Sequence, residues 1–229
     1  MSSQKTSAPD GAHGNAFSGR VGWGSRPALL VIDLVRAYTE PDGPFALPEA
    51  DAVVDATAAL VAAARSGGHP VLWTTARYAP NMADGGLFAR KVPALRAFAA
   101  DADGGWGEQT LTPGPDDVIV VKQYASAFFG TSLASTLRTS GVDTLVIAGV
   151  STSGCVRAGA MDALNHGIRP QVVRQACGDR TPELHENNLA DLDAKYADVV
   201  DTAEALLHLG GPSTTPIPTP TSVEAGRKL

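Results

Sequence analysis

Short apolar runs that alternate with helical patterns constrain this chain more than any other feature of its sequence. Residues 28–32, 71–74, 118–121, 145–148 and 171–173 are brief, mostly apolar and largely β-branched. That is the pattern of strands covered on both faces. Residues 198–200 add a sixth. Helical patterns occupy residues 48–66, 132–139, 153–166, 186–195 and 203–209, and a further helix broken by Pro93 is expected within residues 84–98. The first three of these end near Gly67-Gly68, Gly141 and Gly167, glycine being the residue that most readily takes the left-handed conformation that stops a helix. Strand alternating with helix, joined by right-handed crossovers, predicts an α/β fold: a three-layer doubly wound sheet of six mainly parallel strands with helices on both faces.

Composition narrows the classes of function. The chain has 229 residues, 44% of them hydrophobic, enough for one sizeable core without covalent staples. With 18 basic against 24 acidic side chains the net charge is −6 and the basic residues are scattered, so neither a nucleic acid nor a membrane surface is an expected partner. No apolar run approaches a membrane span and residues 1–19 lack the apolar centre of a signal peptide, so the chain reads as cytoplasmic. Its two cysteines are then free thiols rather than a bridge. Residues 1–20, rich in Gly, Ser and Ala, form an expected flexible N-terminal arm; residues 210–229, rich in Pro and Thr, form an expected flexible tail, and residues 21–209 the folded domain.

In a doubly wound sheet the chemistry collects at the carboxyl ends of the strands. The first run ends in Asp33, the third in Lys122, and the fourth leads through Gly149-Val150-Ser151-Thr152-Ser153-Gly154 to Cys155 at the start of a helix. An acid, an amine and a soft nucleophile thus converge on one rim. A thiol is reactive as its thiolate, which a lysine and a helix N-terminus favour, so the expectation is a Cys155 activated by a lowered pKa. Asp33 suits a general base that later returns the proton to a leaving amine. The small polar turn before Cys155 offers the N–H groups of Ser151 and Cys155 to an oxyanion, where one donor is worth about 3–4 kcal/mol. Taken singly, Asp33 could cap a turn, Lys122 could be a solvated charge, and a cysteine is more often core than reagent; Cys177, after the fifth run, is read as core. Joint placement after apolar central strands argues for function, because charge is costly there unless paired.

Other motifs are absent. The turn at residues 149–155 lacks the Gly-Lys-Ser/Thr ending of a phosphate loop and the second glycine of a serine nucleophile elbow. The five histidines show no ligand spacing, so neither metal nor other cofactor is expected.

The strings Ala28-Leu29-Leu30-Val31-Ile32-Asp33, Val121-Lys122 and residues 149–156 together resemble the isochorismatase-like cysteine hydrolases, over roughly residues 22–209. Residues 37–39, Asp84-Gly85-Gly86-Leu87-Phe88, residues 122–131, Ser153-Gly154-Cys155-Val156-Arg157 and Gly178-Asp179-Arg180 narrow the resemblance to the N-carbamoylsarcosine amidohydrolase branch. The resemblance implies a six-stranded parallel sheet, a triad of Asp33, Lys122 and Cys155, and a cis peptide before Ser151 that aims two amides at the oxyanion. It also implies a carboxylate-binding role for Arg180, against which stands an ordinary ion pair with Asp179 or Glu183. Tyr38, Phe128 and Phe129 are candidate pocket walls, with ordinary core as the alternative. The related nicotinamidases hold a metal through Asp-x-His after the second strand; Thr74-Thr75-Ala76-Arg77-Tyr78 stands there instead.

The expected function is a cysteine-dependent amidohydrolase that cleaves a C–N bond of a small carboxylate-bearing carbamoyl or amide compound, N-carbamoylsarcosine-like, with release of ammonia. The alternatives are a maleamate or ureido-acid amidohydrolase, and a non-catalytic binding or biosynthetic accessory protein on the same fold. Alanine-rich helices and the resemblance suggest a homodimer or homotetramer.

Overall fold

The computed structural model describes residue 17 and residues 19–211. Apart from Phe17, Gly19 and Arg20, the expected arm lies outside the described residues, as does the expected tail beyond Gly211.

Six strands form one sheet in the order β3-β2-β1-β4-β5-β6: β1 (Pro27–Ile32), β2 (Val71–Ala76), β3 (Val118–Lys122), β4 (Thr144–Val150), β5 (Arg169–Gly178) and β6 (Asp198–Val200). Every pairing is parallel, so the sheet is wholly rather than mainly so. The helices are α1 (Arg36–Thr39), α2 (Ala50–Gly67), α3 (Gly86–Lys91), α4 (Leu133–Thr139), α5 (Arg157–Asn165), α6 (Pro182–Lys195) and α7 (Thr202–Gly210). Alternation along β1 divides the core in two. Leu29 and Val31 pack with Val53, Leu60 and Val61 of α2 and Leu209 of α7. Ala28, Leu30 and Ile32 pack with Leu137 of α4, Ala160 of α5 and Leu189 of α6. Among the described residues, no helix is long and apolar enough to cross a membrane.

From β1 the chain winds outward through β2 to β3, then returns to place β4 on the other flank of β1 and winds outward again. The crevice of such a fold opens where the winding reverses, here between the carboxyl ends of β1 and β4.

Several boundaries differ from those read in the sequence. The fifth strand continues past the polar pair Arg174-Gln175 to Gly178, because the register shifts between Ile147 and Gly149 and the ladder resumes with Gly149 opposite Cys177. Cys177 therefore lies within β5, not after it. Helix α6 starts at Pro182 rather than residue 186: Thr181 caps it by accepting the Leu184 N–H (3.3 Å), and Pro182 occupies the first turn, where its missing N–H costs nothing. The segment at residues 84–98 breaks at Pro93 into α3 and a 3-10 helix, Pro93–Phe98. The helix expected from residue 153 begins as a wide π turn, Thr152–Val156, before α5.

Gly149 allows β4 to leave the sheet close to β1. Its φ is +113°, and an added Cβ would lie 2.0 Å from the Ile32 carbonyl oxygen. Gly149→Ala combines backbone strain with a main-chain clash, so a loss of about 3 kcal/mol or more is expected in urea unfolding. An unchanged midpoint would show that the two strands can separate without cost.

Candidate active site

Three strand ends build the site. After β1 the chain turns through Asp33 in the left-handed region (φ +49°), a conformation that short polar side chains tolerate. Thr74, fully buried on neighbouring β2, holds Asp33 twice: its hydroxyl accepts the Asp33 N–H (3.0 Å) and donates to Asp33 Oδ1 (2.5 Å). Lys122 ends β3 in register with the small Ala76, across which it reaches toward β1. Its ammonium has three hydrogens and three partners: Asp33 Oδ2 at 2.8 Å, the Tyr124 carbonyl at 3.1 Å and Cys155 Sγ at 3.4 Å. Cys155 stands on the π turn after β4. The Val150–Ser151 peptide ahead of it is cis, and the Ser151 carbonyl accepts from the N–H groups of Gly154 (2.9 Å) and Val156 (3.2 Å), one on each side of Cys155 in the chain.

The acid, amine and thiol expected from the sequence thus meet in one crevice, nearly sealed from solvent: Lys122 is 2% exposed, Asp33 3% and Cys155 9%. Burial fixes the proton arrangement. It would lower the Lys122 pKa, but the Asp33 carboxylate and the Cys155 sulfur more than offset it, and the net shift is upward. The expected lowering of the thiol pKa does not occur. Burial first, and the Asp33 charge second, push Cys155 up to about 12, and Lys122 recovers only part of this. The resting site is a thiol beside an ion pair.

The cavity above the sulfur is small, about 20 Å³, roughly the room of one water molecule. Tyr38 lines it, with Tyr78, Phe88, Leu95 and Phe98. The Tyr38 hydroxyl is held protonated by burial and by the nearby Cys155 and Asp33. Phe128 does not line the cavity. It packs in the core among Ala127, Leu133 and Leu137, stacked on His166 with centroids 5.3 Å apart. Phe129 is 61% exposed and meets Tyr124 edge-on. Arg180 lies outside this cavity on the turn after β5, with Nη1 3.9 Å from Asp179 Oδ1. Thr74, Tyr78, Leu95 and Phe98 are not singled out by the sequence, since a threonine in a strand, a tyrosine just past the end of that strand and two apolar residues in a helical segment carry no local signal of a site. Among the described residues no group of three or more His, Cys, Asp or Glu side chains could hold a metal ion.

A second, larger cavity of about 360 Å³ opens between the start of α2, the end of β5 and the start of α6. Cys177 and Asp179 reach it from β5 and the turn beyond, and His185 from α6. Burial pushes the Cys177 thiol up to about 12 as well.

Residues 27–204 match the Isochorismatase domain. The chain is 45% identical to maleamate amidohydrolase of Pseudomonas putida over 213 residues, 91% of this chain and 100% of that protein. It is 36% identical to an N-carbamoylsarcosine amidase of an Arthrobacter species over 198 residues, 84% of this chain and 75% of the relative. Its fold superposes on a cysteine hydrolase of Pseudomonas syringae pv. phaseolicola with a TM-score of 0.76 at 23% identity, covering 80% of this chain and 92% of the other.

Two stability measurements test this site. Lys122→Met leaves the Asp33 carboxylate buried without its partner and is expected to cost about 3–5 kcal/mol in urea unfolding, whereas Lys122→Met combined with Asp33→Asn recovers part of that loss. A single variant as stable as the double variant would contradict the buried pair. Both thiols ionise near 9 when unfolded and near 12 when folded. The unfolded chain therefore holds fewer protons in that window, and stability falls as pH rises from 9 toward 12. Cys155→Ala and Cys177→Ala should each flatten the fall.

Proposed function

The chain belongs to the isochorismatase family, and from that premise we propose that it is a cysteine-dependent amidohydrolase of small carboxylate-bearing amides, with maleamate as the favoured substrate. The observation that carries the reading is the contact of Lys122 with both Asp33 (2.8 Å) and Cys155 (3.4 Å) in a nearly closed crevice.

In the proposed reaction Asp33 takes the thiol proton as Cys155 Sγ attacks the amide carbon. The carboxylate that raises the thiol pKa loses its charge in that same step. Negative charge moves from the carboxylate through sulfur to the carbonyl oxygen of the substrate while Lys122, in contact with Asp33 and Cys155, stays positive, so the site keeps its net charge. The tetrahedral oxyanion faces the N–H groups of Ser151 and Cys155. Its collapse breaks the C–N bond, and the proton on Asp33 leaves with the nitrogen as ammonia. Water, deprotonated by Asp33, then cleaves the thioester, releases the acid and returns the proton to sulfur. The sum is amide plus water giving acid plus ammonia. Arg180, 69% exposed, has a guanidinium edge open to the substrate carboxylate. Entry requires the lining of the cavity to shift, since it holds about one water.

Maleamate displaces the N-carbamoylsarcosine-like substrate expected from the sequence because the similarity to the maleamate enzyme is higher and spans all of that protein. It is also a rigid cis acid-amide, which loses little freedom on binding. N-carbamoylsarcosine is the second reading, supported by the same pairing of carboxylate and carbamoyl group.

Ammonia release measured with maleamate, N-carbamoylsarcosine and a ureido acid tests the assignment. Maleamate is expected to give the highest kcat/KM, by about tenfold, and Cys155→Ala is expected to lose roughly a thousandfold or more in kcat. Turnover that survives in Cys155→Ala rejects the mechanism; a wild-type chain inert toward all three compounds favours a binding protein on this fold.

A further inference from the structure

One buried carboxylate ties together the turns that carry Cys155 and Arg180. The last register pair of β4 and β5 is Val150 with Gly178. Beyond it the chain enters the Cys155 turn on one side and Asp179-Arg180 on the other, and two side chains extend the link past the end of the sheet. Thr152 Oγ1 donates to the Gly178 carbonyl (3.1 Å). Asp179 Oδ2 accepts the Ser153 N–H (2.6 Å), and Asp179 Oδ1 accepts the Arg180 N–H (2.9 Å). Arg180 Nη1 lies 3.9 Å from that same Oδ1, outside on the solvent side.

The Asp179 side chain is 0% exposed. Burying a carboxylate is costly, and joining two backbone N–H groups does not by itself require a charge, since neutral oxygens do the same elsewhere in this chain. A charge is required to hold a cation. A guanidinium presents five N–H bonds in a flat fork, and contact through Nη1 leaves the remaining edges free.

We propose that Asp179 is a positioning residue for the hydrolysis: its bond to Ser153 fixes the turn on which Cys155 stands, and its contact with Arg180 steadies one edge of the guanidinium so that another meets the substrate carboxylate. This rests on the amidohydrolase reading above. Asp179 touches neither substrate nor reacting atoms. It sets the separation between the group that binds the acid end and the group that attacks the amide.

Steady-state kinetics with maleamate test this. Asp179→Asn keeps the shape and removes the charge, and its amide can accept from only one of the two N–H groups with its oxygen. It is expected to raise KM about tenfold and lower kcat about tenfold. Arg180→Ala is expected to raise KM with a smaller change in kcat. In the double variant, KM should be no higher than in Arg180→Ala alone, because Asp179 acts on KM through Arg180, while the kcat loss from Asp179→Asn persists. Unchanged kinetics in Asp179→Asn, KM effects that multiply in the double variant, or a loss of activity matched by an equal loss of folded protein would each overturn the proposal. If Asp179→Asn does not fold, Asp179→Ser takes its place under the same criteria, and failure of both to fold makes Asp179 a stability residue and overturns it. A wild-type chain inert toward amides overturns the hydrolase reading and this proposal with it; an active wild type with an unaltered Asp179→Asn overturns this proposal alone.

Discussion

An ion pair held almost out of water, Asp33 with Lys122, sets the terms for everything around it. Neither charge is stable there alone, so each neighbour that keeps the pair buried must also satisfy it. Thr74 occupies one carboxylate oxygen and the Tyr124 carbonyl takes one ammonium hydrogen. What remains of the ammonium's bonding capacity is directed at Cys155. The thiol thus completes a polar cluster that would otherwise be unsatisfied, and this contact puts the sulfur beside both a proton acceptor and a fixed positive charge.

The fold makes that meeting possible because its winding reverses between β1 and β4. Asp33 and the Cys155 turn leave the sheet side by side, and Gly149 lets the two strands approach without a side chain between them. Lys122 comes from the far edge of the sheet and spans β2 because its register partner there is Ala76. The turn after β5 continues the series outward and brings Asp179 against the Cys155 turn, with Arg180 on its solvent side. Five of the six strands therefore contribute to one rim, with the acid, the thiol and the arginine in the same spatial order as the strands that carry them.

Much of this was legible in the sequence for a physical reason. Central parallel strands must be apolar on both faces, so a charged or reactive residue just after such a run stands out, as Asp33, Lys122 and Cys155 do, and the structure brings these three together. The end of β5 was hidden because Arg174 and Gln175 interrupt the apolar run, and the early start of α6 because a threonine cap and a proline precede the periodic residues. The proton state of Cys155 was not legible. A helix start and a lysine suggested a lowered pKa, but the cost of removing an anion from water depends on burial, which only the packed structure supplies. Aromatic identity likewise did not separate Phe128, which faces the core, from Tyr38, which lines the cavity. The cis peptide before Ser151 was implied by resemblance to a family and by nothing in composition or periodicity.

At rest the crevice holds an Asp33–Lys122 ion pair and keeps the proton on the Cys155 sulfur. Thiolate absorbance in the ultraviolet, taken as the difference between the wild-type chain and Cys155→Ser so that Cys177 cancels, tests it directly. No thiolate signal is expected at neutral pH, and one is expected to appear only as pH approaches about 12. A full thiolate signal already present at neutral pH would contradict it.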